Sequence, residues 1–258
     1  MAEAEIVYVA IVPIEYPSIN LTKAVAGIIG KDTYQTRLLL MGSIPHIAAR
    51  CNGVREAEEL TRKLREVGLT TIVCSDAALR QPFQGLRAKT LEFGDGEVAF
   101  KREGEEAKPG VSSVFLMIRG TRQSVPAVPE DMPARTKIKL DVGTSLLMGG
   151  IPVLKRVKEK SDSTSAQPEW FLRLYEQASP EPLVELLQYD MEYSFLGAET
   201  VLSSTANFIN VVKKLREAYP KAIYDERLMK PSVTDIPGTT PDEDIEINCR
   251  LIYFQHLP

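Results

Sequence analysis

The chain has 258 residues, 44% apolar and 26% charged, with a formal net charge of −4. Its dense apolar periodicity excludes a disordered chain, and no stretch approaches the roughly 18 continuous apolar residues of a membrane-spanning helix. The acidic balance argues against a general nucleic-acid binder, whose surface is basic, and the length suits one or two compact units.

Residues 1–5 are small or acidic and lack the basic start and apolar run of a secretory signal. Cys51, Cys74 and Cys249 are few, odd in number and far apart, with no C-x-x-C spacing. Together these features predict a cytoplasmic protein without a disulfide framework. Cys51 and Cys74 lie in strand-like runs and read as small buried hydrophobes.

Ile6 to Val12 is a continuous apolar, β-rich run and predicts a buried strand. Ser18 or Asn20 then caps a helix whose apolar face is Leu21, Val25 and Ile28, with Gly30 as its stop. Asp32 opens a second helix reaching Met41. Ile44 to Cys51 reads as a strand, and Asn52-Gly53 as a turn. Val54, Ala57, Leu60, Leu64 and Val67 form a stripe at helical spacing, ended by Gly68, and Thr70 to Ser75 makes a third strand. The resulting order, β-α-α-β-α-β over residues 1–82, is that of a small α/β sandwich. By element order alone it resembles the ferredoxin-like class of regulatory modules.

A linker at 81–86 leads into a β-rich stretch. Thr90–Phe93 and Val98–Lys101 flank Gly94-Asp95-Gly96 as a hairpin. Val114–Arg119, Trp170–Tyr175 and Leu183–Gln188 read as strands, and Met191–Phe195 as a further one. The proline-bearing 124–133 and the polar 161–168 read as irregular. Ser203 or Ser204 opens a helix with the apolar face Phe208, Val211, Val212 and Leu215, stopped by Pro220. Residues 83–220 form a β-rich module with a basic insertion at 124–168; its strands followed by one closing helix, over about 87–219, resemble a pleckstrin-homology-like barrel, again by element order. Residues 221–258 read as an extended acidic tail. The alternation of Ile245, Ile247, Cys249 and Leu251 predicts that it ends in a strand. The expected fold class is therefore α+β, with these two modules and the tail.

Catalytic and metal motifs are absent or degenerate. Gly30-Lys31 lacks the upstream glycine of a phosphate loop, since residue 25 is Val and residue 32 is Asp. His46 and His256 have no ligand partner at i+2 to i+5. Gly143-Thr144-Ser145 is not a nucleophile elbow, and Asp141-Val142-Gly143 departs from the aspartic-protease turn at its second residue. Trp170, Tyr175, Tyr189 and Tyr193 read as core and cross-strand pairs. No catalytic residue, metal or cofactor is assigned.

One feature stands apart. Residues 132–160 hold seven cations against Asp141 and Glu159, a net +5, leaving −9 on the rest of the chain. The apolar, glycine-rich run Gly143 to Leu154 lies within this segment, and Arg119 and Arg122 precede it. Cations around such a run suit an anion or an acidic partner. The candidate binding residues are Arg119, Arg122, Lys137, Lys139, Lys155, Arg156 and Lys158. The expected function is non-enzymatic protein interaction or regulation. The alternatives are a small anionic-ligand sensor or enzyme using residues 135–160, and contact with an acidic membrane surface.

Overall fold

The computed structural model describes residues 5–94, 96–124, 136–140, 154–158, 167–230, 236 and 238–257. The glycine-rich run 143–153, residues 125–133 and 161–166, and tail residues 231–235 lie outside this set. By its internal contacts the chain forms two units, residues 1–122 with 169–258, and residues 123–168. The protein is α+β with several sheets.

In the larger unit, β1 (Val7–Ile11) is buried along its whole length, as its continuous apolar run requires. It is the centre of a three-stranded sheet, antiparallel to β2 (His46–Cys51) and β3 (Thr71–Ser75). Three helices make the crossovers: α1 (Ile19–Ile29), α2 (Thr33–Leu40) and α3 (Val54–Glu66). The predicted order is present, and its punctuation works as expected. Ser18 Oγ accepts from the Leu21 amide and Asp32 Oδ1 from the Gln35 amide, while Gly30 closes α1 in the left-handed region. Alternate β1 residues serve two cores. Val7, Val9 and Ile11 pack on the helices through Val25, Leu40 and Leu64. Tyr8 and Ala10 face the other way, onto Ile72, Cys74 and Leu79. Leu79 belongs to a short helix, α4 (Asp76–Arg80).

A five-stranded sheet follows, ordered β13-β8-β11-β12-β4. Its strands are β4 (Leu86–Ala88), β8 (Val114–Ser124), β11 (Gln167–Glu176), β12 (Pro182–Leu187) and β13 (Ile223–Leu228). Beside it β5 (Thr90–Phe93), β6 (Val98–Arg102) and β7 (Glu105–Ala107) form an antiparallel three-stranded sheet. Where the element order predicts a barrel, the described strands form open sheets and close none. β4 and β13, far apart in sequence, pair parallel with β12 and β8 and take the two edges. Met191–Phe195, expected to be extended, runs into a 3-10 helix at Tyr193–Glu199 that turns at Gly197. Helix α5 (Ser204–Ala218) starts at the Ser203 cap and packs Phe208, Val211, Val212 and Leu215 on Leu172, Leu174, Val184 and Leu186.

The largest departure is at the C-terminal end. The expected extended tail and terminal strand are instead a helix, α6 (Pro241–His256), preceded by β13. Thr240 and Glu243 form a reciprocal capping box, Pro241 starts the helix, and the acidic Asp242, Glu243 and Asp244 occupy its positive end. Ile247 and Leu251 pack against the β1 sheet, whereas Cys249, Ile252 and Tyr253 pack against Leu116, Ile118 and Phe171 of the five-stranded sheet. A helix enclosed from two sides has no wide polar face. Its apolar residues therefore read as strand alternation rather than as an amphipathic stripe.

The smaller unit contains β9 (Thr136–Leu140) and β10 (Leu154–Lys158), paired antiparallel. No helix among the described residues is long and apolar enough to cross a membrane.

Candidate functional site

The pairing of β9 with β10 brings together five of the candidate cations. Lys137 and Lys139 lie on β9, and Lys155, Arg156 and Lys158 on β10. Register sets Lys139 opposite Lys155, Lys137 opposite Val157, Arg156 opposite Ile138 and Lys158 opposite Thr136. Half of the ten paired residues are cationic and none is acidic. Directly opposed like charges weaken a strand pair, and a two-stranded ribbon alone is marginal in water.

Arg119 and Arg122 lie on β8 in the larger unit and are engaged there. The Arg119 guanidinium stacks 4.4 Å from the Trp170 ring centroid. One of its terminal nitrogens is 3.5 Å from the Tyr224 hydroxyl and 4.0 Å from Glu226. Arg122 approaches Asp242 at 3.5 Å and Glu169 at 3.9 Å.

The larger unit also holds a charged ladder that the sequence pattern did not single out. Arg87, Glu185 and Arg173 are register neighbours on β4, β12 and β11. Arg173 Nε donates to Glu185 Oε1 and Arg87 Nε to Glu185 Oε2, each at 2.8 Å. The terminal nitrogens of Arg173 then clasp Glu246 of α6 through both carboxylate oxygens, at 2.8 and 2.5 Å. Arg173 and Glu185 are 2% and 1% exposed, so these contacts are made out of water. Burial alone pushes the Glu185 carboxyl up. Burial is the largest single influence, and the charges and hydrogen bonds of Arg173, Arg87 and Arg122 together outweigh it and hold the carboxyl below its usual value. The cavity among Arg87, Arg173, Glu185 and Glu246 is only about 60 Å³, room for about two waters rather than a substrate. A carboxylate held ionised by two arginines is a poor proton acceptor, so the ladder fastens α6 to the sheet rather than performing acid–base chemistry. The sequence signal was a single charge centred in each of two apolar strands, Phe171–Tyr175 and Val184–Leu186.

A second fastening holds the far end of α6. His256 Nε2 is 2.9 Å from Asp225 Oδ2 on β13, and the same carboxylate accepts from the Arg227 guanidinium. Burial again pushes Asp225 up, and the hydrogen bonds from Arg227 and His256 prevail, leaving it lowered. All three thiols are buried. Burial raises Cys51 and pushes Cys74 and Cys249 up to about 12, so none is a thiolate nucleophile at neutral pH. Among the described residues, no group of three His, Cys, Asp or Glu side chains is arranged to hold a metal ion.

No protein-family model, curated protein or solved structure matches the chain.

Proposed function

We propose that this is a non-enzymatic interaction protein that engages an acidic surface of a partner protein through the β9–β10 ribbon. The observation that carries this reading is the pairing itself, in which five cations share ten residues and Lys139 faces Lys155. A ribbon so charged gains stability when an anionic surface neutralises it. Lys137, Lys139, Lys155, Arg156 and Lys158 are the contact residues; Arg119 and Arg122 belong to the larger unit, are engaged there, and are not part of this site. The acidic remainder of the chain disfavours general nucleic-acid binding. Three free thiols fit a reducing, cytoplasmic setting.

The test is site-specific photocrosslinking from position 157 of the full chain, with the captured protein identified by mass spectrometry. The expected result is an acidic protein that is captured by the wild type, weakened by added salt, and lost in the Lys137→Glu/Lys139→Glu/Lys155→Glu variant. Capture that survives these changes contradicts the proposal. So does stabilisation by small anionic metabolites, or sedimentation with anionic vesicles, without any captured protein.

A further inference from the structure

Helix α2 carries apolar side chains on two sides. Thr36, Leu39 and Leu40 are buried against the rest of the larger unit. Tyr34, Leu38 and Met41 recur at i, i+4 and i+7 and are 72%, 56% and 49% exposed. Ile19, at the start of α1, is 72% exposed. Single exposed apolar residues are ordinary, but a stripe at helical spacing with an apolar neighbour across a groove marks a contact surface. The groove between α1 and α2 encloses about 380 Å³, with Pro17, Ile19 and Tyr34 supplying apolar walls.

Its charge is one-signed. Lys23 and Arg37 line the groove, and no carboxylate does. Among the described residues neither cation has an ion-pair partner. Arg37 makes only a 3.4 Å contact from Nε to the Met41 sulfur. The nearby Asp32 carboxylate is already used in capping α2.

We infer that the α1–α2 groove and the exposed α2 stripe beside it dock an amphipathic helix of a partner protein, whose apolar face meets Tyr34 at the groove and Leu38 and Met41 next to it, and whose carboxylates meet Lys23 and Arg37. The stripe fixes the geometry, because side chains recurring at this spacing along α2 pack against the apolar face of a second helix laid beside it. The unpartnered cations fix the sign. A second copy packed face to face by two-fold symmetry would set Lys23 and Arg37 against their own counterparts, so charge disfavours that self-association. This surface lies within residues 16–41 and is independent of the β9–β10 ribbon.

The experiment uses the full chain and a fluorescently labelled synthetic helix with leucines at i, i+3, i+4 and i+7 flanked by glutamates. A second peptide keeps the leucines and replaces the glutamates by lysines. Saturable binding of the acidic helix is expected by anisotropy, and the basic helix should bind at least about tenfold more weakly. Leu38→Glu and Arg37→Glu should each weaken the acidic helix by about tenfold or more, as loss of an interface anchor does. Both positions are exposed, so the melting temperature should stay unchanged. The Lys139→Glu variant should bind the acidic helix like the wild type, which separates this surface from the ribbon. The inference is overturned if the acidic helix fails to bind, if both peptides bind equally, or if Leu38→Glu has no effect. It is also overturned if the groove instead drives self-association, or adsorption to phosphatidylserine vesicles that Leu38→Glu abolishes.

Discussion

Glu185 accepts hydrogen bonds from arginines on both neighbouring strands, and its removal leaves two guanidinium groups facing each other across β12. Breaking a buried ion pair from one side costs about 3–5 kcal/mol when it strands the other charge; Arg173 keeps Glu246 and Arg87 is 43% exposed, so the low end of that range applies. Glu185→Ala should lower the urea-unfolding free energy by about that amount, whereas Glu58→Ala, on the solvent side of α3, should change it by less than about 0.5 kcal/mol. The pH dependence has a definite sign. Glu185 and Asp225 lie below their usual values of 4.5 and 3.8 in the folded protein. Their stabilisation is complete above the usual values and is lost as pH falls through the lowered ones. The urea midpoint should therefore hold down to about pH 5 and then drop, and the drop should be shallower in Glu185→Gln. At this scale the caps were readable in the sequence, because Ser18, Asp32 and Ser203 act on amides three residues away. The ladder was not, because its bonds join residues 12, 73 and 98 positions apart.

Helix α6 joins two sheets of the larger unit, the β1 sheet and the five-stranded sheet. Leu251 lies in the core it shares with β1–β3, and Ile252 in the core it shares with β8 and β11. Truncating either to Ala should cost about 2–5 kcal/mol, and Thr240→Ala should cost about 1 kcal/mol through loss of the cap. A single cooperative transition in all three variants, monitored by circular dichroism, is the expected outcome. Separate melting of residues 5–80 would show that α6 does not couple the sheets. The elements of residues 6–75 were legible because each helix there buries one face and shows the other to water. α6 was not, because its acidic first turn resembles a solvated tail and its enclosed turns lack a polar face. The edge strand β4 is only three residues long, too short to announce itself by period.

Across the whole chain, the net charge of −4 is the sum of a +5 segment and a −9 remainder. Part of the negative remainder is internal glue: Glu185 and Glu246 bind Arg173, Glu181 binds Arg250, and Asp225 binds Arg227 and His256. The basic segment was legible from composition, and the pairing of β9 with β10 adds the opposition of Lys139 and Lys155. Lys139→Glu replaces like charges at opposed register positions by unlike ones, a change that favours strand pairing by about 0.2–1 kcal/mol, while it lowers the segment's net positive charge. The decisive measurement is the affinity of wild type and Lys139→Glu for the acidic protein captured from position 157. A large loss of affinity, shrinking as salt is raised, is the expected result; equal or tighter binding by Lys139→Glu would contradict a role for the ribbon's charge in recognition.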